Sequence, residues 1–256
     1  MRKMAYLSDI GRVRKINEDC LAVQDNLNGL TLAIVADGMG GHQAGDVASA
    51  MAVELIQQGL QSLHQEVPVE ARHAVVKATL ESANAKIFEF ASARENYHGM
   101  GTTAIIVAAD DRHAVIGHIG DSRVYWIRGE RIDQVTEDHS LVNELVRSGQ
   151  ISREEANHHP RRNVLTRALG TEPTIEVDVL QVDWQEGDLL LLCSDGLSSR
   201  VEPEQILRLA SGEDTLDAKV RKLVDEALEA GGDDNITVIL LANGDAAAVH
   251  NDGETG

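Results

Sequence analysis

LTLAIVADGMGGHQAG, residues 30 to 45, sets an apolar run against a glycine-rich turn. The run Leu30 to Ala36 shows almost no alternation, which predicts a strand buried on both faces. It ends at Asp37-Gly38, further glycines follow, and a helical pattern begins near Asp46. A carboxylate at the end of a buried strand is held rigidly, and glycine beside it lets backbone and ligand approach closely. The pattern recurs at LLLLCSDG, Leu189 to Gly196, where Asp195-Gly196 closes a second apolar run. Asp-Gly is also a favoured hairpin pair, and a turn is the plain reading of either pair alone. Two strand-end pairs in one chain point instead to a shared metal site.

Around these two runs the chain has the bulk of one domain. Its 256 residues contain only 4 prolines and no linker-like stretch. With 43% hydrophobic and 3% aromatic residues, the core is built from Leu, Val, Ile and Ala. A formal charge of −19 argues against a nucleic-acid or anionic-membrane surface, because phosphate backbones need basic patches. No signal pattern and no apolar segment of spanning length is visible, so a cytoplasmic protein is expected. Cys20 and Cys193 make neither CxxC nor a disulfide framework and read as buried thiols.

In chain order, Met4 to Asp9 reads as a strand and Cys20 to Gln24 as a second. The loop between them sets Arg12, Arg14 and Lys15 beside Glu18 and Asp19. That cluster is either a solvated hairpin with weak ion pairs or an arginine clamp beside metal-holding carboxylates. Asp46 to Leu63 and Val69 to Ala93 form one amphipathic helical pair, Pro203 to Ala210 and Leu216 to Ala230 another. Between the pairs lie short strands at Ala104 to Ala109, His113 to Ile119 and Val124 to Arg128, joined by tight turns. This meander favours antiparallel pairing over βαβ winding. Gly120-Asp121 sits at one of its corners. Glu137 to Gly170 breaks the rhythm with two short helices and a basic stretch through His158, His159, Arg161, Arg162 and Arg167. Strands follow at Ile175 to Val182, Leu189 to Cys193 and Ile236 to Leu241. Residues 243–256 read as a disordered acidic tail.

The ordered set Arg14/Asn17-Glu-Asp19, Asp37-Gly38-Met-Gly-Gly, Gly101-Thr-Thr103, Gly120-Asp-Ser-Arg123, Ser194-Asp-Gly196 and Gly232-Asp-Asp-Asn235 spans nearly the whole chain. It resembles the metal-dependent serine/threonine protein phosphatases of type 2C, the PPM family, in their bacterial form. The resemblance implies an α+β fold: a four-layer α-β-β-α sandwich of two antiparallel sheets flanked by helical pairs. It implies a catalytic domain over 1–242, with 137–170 as a flap-like insertion. It also implies two Mn²⁺ or Mg²⁺ ions, Asp37 bridging both, the Gly38 carbonyl on one, and Asp195 and Asp234 on the other. Glu18 and Asp19 resemble residues that hold metal-bound waters. Asp121 matches a position that holds a third ion with Asp195 in bacterial members, and Arg14 matches the phosphate clamp. Animal relatives place a histidine directly after the Asp-Gly pair; here Met39 stands there, and His42 or water is left as the general acid.

The implied reaction is hydrolysis of phosphoserine or phosphothreonine on proteins, by a metal-activated water attacking phosphorus in line. Oxygen ligands suit Mg²⁺ or Mn²⁺ rather than zinc. The expected partners are phosphorylated proteins, a Ser/Thr kinase and its substrates, with the chain signalling as a monomer. Three other readings compete. A silent phosphoprotein-binding domain would lack an aspartate at 37, 195 or 234. A small-molecule phosphohydrolase would differ in substrate alone. An ATP-binding enzyme using Gly38 to Gly45 would need the GxxxxGK[ST] loop that this chain lacks.

Overall fold

The computed structural model describes residues 3–40 and 44–244. The apolar run lies in β3 (Leu30–Met39), flanked by β2 (Asp19–Leu27) and β5 (Ala104–Ala109). Its side chains do alternate, but both sides are apolar. Ala33 and Val35 pack into a layer shared with Leu190, Leu192 and Ile239 of other strands. Leu32, Ile34 and Ala36 pack on the opposite side against helices. That double burial explains the missing alternation in the sequence.

Two antiparallel sheets result. One has the order β2-β3-β5-β6-β9, with β6 at His113–Ile119 and β9 at Asp178–Asp183; the two-residue β4 (Gly101–Thr102) pairs with the end of β3. The other has the order β1-β11-β10-β7-β8, formed by Lys3–Asp9, Ile236–Ala242, Leu189–Cys193, Arg123–Arg128 and Arg131–Gln134. Helices α1 (Gly45–Leu60) and α2 (Val69–Ser92) cover the first sheet through Ala48, Ala52, Ile56, Val76, Leu80 and Ile87. With Ala83 between Leu80 and Ile87, these recur at three- and four-residue spacing, so each helix turns one stripe inward. Helices α6 (Pro203–Ala210) and α7 (Leu216–Glu229) cover the second sheet through Ile206, Ala210, Val220, Leu223 and Val224. The expected α-β-β-α sandwich is therefore present.

Between β8 and β9 the chain makes α3 (Leu141–Arg147) and α4 (Arg153–Asn157). The bridge Ser140↔Leu165 closes the insertion on itself, and Thr102↔Leu169 returns it to the body. Arg167 leaves the basic stretch to pair with Asp178 at 3.1 Å. Among the described residues no helix is long and apolar enough to cross a membrane. His42 and residues 245–256 lie outside the described residues, and with them most of the tail expected over 243–256.

Local reading misplaced strand ends: β2 runs on to Leu27 rather than stopping at Gln24. β3 runs on through Asp37 and Gly38 to Met39, because β4 pairs with it there. β9 starts at Asp178 rather than Ile175, and β8 was not anticipated because three of its four residues are polar.

Candidate metal centre

The acidic residues gather at one end of the sandwich because that is where the strands from both sheets deliver them. Asp19 and Asp37 are register partners across β2 and β3, so their side chains share a face. It is the face that carries Ala33 and Val35 towards the other sheet. Asp121 occupies the β6–β7 turn, Asp195 follows β10 as the first residue of the short helix α5 (Asp195–Ser198), and Asp234 precedes β11. All five are half buried.

Their electrostatics are those of a crowded anionic pocket. Burial raises the Asp37 carboxyl well above its ordinary range, and Asp19, Asp195, Asp121 and Asp234 push it further. Burial takes Asp19 to about 7 against hydrogen bonds from Thr237 and Ser194, with Asp195 and Asp234 adding to the rise. Asp121 goes to about 8 through burial and Asp195. Asp195 goes to about 6 through burial and Asp234, partly offset by Arg14 and by a hydrogen bond with Asp37. Burial raises Glu18 too, against the lowering pull of Arg14. Carboxylates this close stay ionised together only when cations hold them. The fit to divalent ions is visible in the atoms: Asp19 Oδ1 is buried with no hydrogen-bond partner. The donor set is oxygen alone, as hard cations prefer.

Uncharged neighbours hold the acids in place. Thr103 Oγ1 accepts from the Asp37 N–H at 2.9 Å, and Thr102 Oγ1 donates to the Asp37 carbonyl at 2.9 Å. Ser194 Oγ donates to Asp19 Oδ2 at 2.7 Å. Asn235 Oδ1 accepts from the Glu18 N–H at 2.8 Å, while its Nδ2 donates to the carbonyls of Ile10 and Ile16. Asn235 thus pins the loop that carries Arg14 to the start of β11. Sequence reasoning named Asn235, Ser194 and the Thr pair only as motif letters. Their partners lie far away in the chain, and no local signal gives them.

Arg14 Nη2 donates to Asp234 Oδ2 at 2.7 Å, and Nη1 lies 3.7 Å from Glu18 Oε2. The basic residue singled out in the sequence therefore stands at the rim of the acidic cluster. Gly38 is fixed by close approach: its N–H donates to the Glu18 carbonyl at 3.1 Å, and a Cβ there would lie 2.0 Å from the Gly45 carbonyl oxygen. Glu18 accepts from the Gly45 N–H at the start of α1. Of the sequence-predicted residues, Arg14, Glu18, Asp19, Asp37, Gly38, Asp121, Asp195 and Asp234 come together. Cys193 is buried, and burial pushes its thiol up to about 12, which leaves it inert.

The family model described as protein phosphatase 2C matches residues 12–253. The chain is 42% identical over 236 residues to the serine/threonine phosphatase stp of Listeria monocytogenes, covering 92% of this chain and 94% of the relative. Among solved structures it resembles the S. agalactiae serine/threonine phosphatase with TM-score 0.90 and 37% identity, covering 94% of this chain and 99% of that one. It also resembles the catalytic domain of the serine/threonine protein phosphatase PstP in complex with two manganese ions, with TM-score 0.80 and 33% identity over 94% of this chain and 97% of that one.

Proposed function

Because this chain belongs to the protein phosphatase 2C family, we propose that its acidic cluster is the site where it hydrolyses phosphoserine and phosphothreonine on proteins. The chain is a protein serine/threonine phosphatase with two divalent cofactor ions, manganese or magnesium. The observation that carries the placement is the meeting of Asp19, Asp37, Asp121, Asp195 and Asp234, drawn from both sheets, around a buried, unpartnered Asp19 oxygen. When bound, the ions supply an activated water for in-line attack and neutralise charge on the phosphoryl oxygens.

The residues of the chain divide the remaining work. Asp37, the Gly38 carbonyl, Asp195 and Asp234 hold the two ions. Glu18 and Asp19 take ion-bound waters as hydrogen-bond acceptors, and Asp121 with Asp195 provides for a third ion. Arg14, at the rim beside Asp234, would orient the phosphoryl group through its planar fork. The leaving alkoxide takes its proton from His42 or from water. A His42→Ala variant compared on a phosphothreonine peptide and on p-nitrophenyl phosphate, whose leaving group needs no proton, decides between them. Loss confined to the peptide assigns His42; equal turnover of both assigns water.

Residues 137–170 act as a flap beside the cluster, with exposed Arg161 and Arg162 facing acidic or phosphorylated surfaces. A phosphomonoester on a protein hydroxyl has to be placed there by a kinase, so the enzyme opposes a Ser/Thr kinase in cytoplasmic signalling. The test of substrate class is turnover of metal-stripped protein with Mn²⁺ or Mg²⁺ restored. Phosphothreonine peptides should outpace sugar phosphates and nucleotides. The reverse order would make it a small-molecule phosphohydrolase on the same fold.

A further inference from the structure

Behind the Asp121 turn lies a cluster that the catalytic reading leaves unused. Ligand atoms of His118, His139 and Asp178 lie within 4.8 Å of one another. A metal is the first thought, but the proton positions argue against it. His139 Nδ1 accepts from the Gly120 backbone N–H at 3.1 Å, so in the neutral ring the proton sits on Nε2. Nε2 then donates to Asp178 Oδ2 at 3.0 Å. An ion at Nε2 would need the other tautomer, which would turn a second N–H against that of Gly120. His118 donates through Nε2 to the Ser122 carbonyl at 3.0 Å, leaving its buried Nδ1 unpartnered beside the His139 ring.

The same bonds describe a clamp. His139 holds Gly120 from both sides: the ring accepts the Gly120 N–H, and the His139 N–H donates to the Gly120 carbonyl at 2.8 Å. Gly120 has φ +108, where glycine has wide freedom, and it packs on Thr103, the residue that accepts from Asp37. Asp178 fixes the ring's tautomer and is itself oriented by Arg167 Nη1 at 3.1 Å on its other oxygen. Thr166 N–H, next to Arg167 in the insertion, donates to the His139 carbonyl at 2.9 Å.

We infer that His139, oriented by Asp178 and Arg167, is a positioning residue that fixes the Gly120–Asp121 turn and so sets the affinity of the ion held by Asp121. The inference rests on the proposed role of Asp121 as an ion ligand. It also makes the Arg167–Asp178 pair one support of the contact through which His139, itself in the insertion, reaches the metal centre.

The test reads Mn²⁺ binding calorimetrically on full-length, folded protein. His139→Asn places an amide oxygen where Nδ1 stood and should keep binding. His139→Leu keeps bulk but offers no acceptor, and should weaken the Asp121-dependent ion about tenfold or more while the other two ions are unchanged. Asp178→Asn guards against a variant that fails to fold. Arg167 would draw the amide oxygen and leave the NH₂ facing His139, forcing the wrong tautomer and the same weakening. Equal binding by His139→Leu and wild type, or equal weakening in His139→Asn and His139→Leu, overturns the inference. Asp121→Asn is the control. If it leaves every Mn²⁺ site unchanged, the ligand role of Asp121 fails, and the inference falls with it for that separate reason.

Discussion

At the residue scale, Asp19, Asp121 and Asp195 carry the pH dependence of the metal-free protein. Their native values stand raised to about 7, about 8 and about 6, above the ordinary aspartate value near 3.9 of the unfolded chain. A raised carboxyl binds its proton more tightly when folded, so its contribution to stability is present at low pH and is lost as pH rises through the native value. Ions compete with those protons, and the stabilisation they give must grow over the same range. The shift in Tm on adding Mn²⁺ to chelator-treated protein should rise from pH 5 to pH 8; a shift independent of pH would mean the ions bind elsewhere. Arg14 makes a different prediction, because its proposed role is to orient the phosphoryl group rather than to hold ions. Arg14→Ala should lower kcat/KM on phosphopeptides about 10²-fold with Mn²⁺ affinity retained, read by steady-state kinetics beside calorimetry. The candidate site residues were legible because each sits in a short motif. The roles of Asn235 and Ser194 in those same motifs were not, since they are defined by partners 217 and 175 residues away.

At the element scale, strands were most readable where burial is complete and least readable where pairing alone makes them. β3 and β10 announce themselves by Leu, Ile and Val, whereas β8 and the last residues of β3 exist only because a partner strand lies alongside. A side-chain contact reinforces the pairing of β7 with β10. Asp188, almost fully buried, accepts from Arg128 Nη2 at 2.6 Å and from Trp126 Nε1 at 3.0 Å. Burial alone would raise its carboxyl, but these donors and the Gln185 N–H outweigh it and hold the group low. Arg128 remains partly exposed, which screens the pair, so Asp188→Ala should cost about 2 kcal/mol at neutral pH in urea denaturation. A depressed carboxyl contributes above its unfolded value and loses that contribution as pH falls through the native one. The deficit of Asp188→Ala should therefore shrink towards pH 3. A deficit unchanged by acid would assign the loss to packing instead.

At the scale of the whole molecule, the sandwich brings together what the chain keeps far apart. Residues 19, 37, 121, 195 and 234 meet because β2, β3, β6, β10 and β11 all reach the same end of two stacked sheets. Composition and helix periodicity led to two helical pairs and an antiparallel meander. The pairing of sheet with sheet came from the family resemblance, because no local pattern states which strand ends will face each other. The central claim is that this one end holds the ions on which phosphate hydrolysis depends. Its most direct test is Mn²⁺ binding and phosphothreonine-peptide turnover, measured together on wild type and Asp195→Asn. The account predicts metal-dependent turnover in wild type, with weakened ion binding and lost turnover in the folded variant. A variant that folds, binds Mn²⁺ less tightly and still turns over the peptide at the wild-type rate would contradict it.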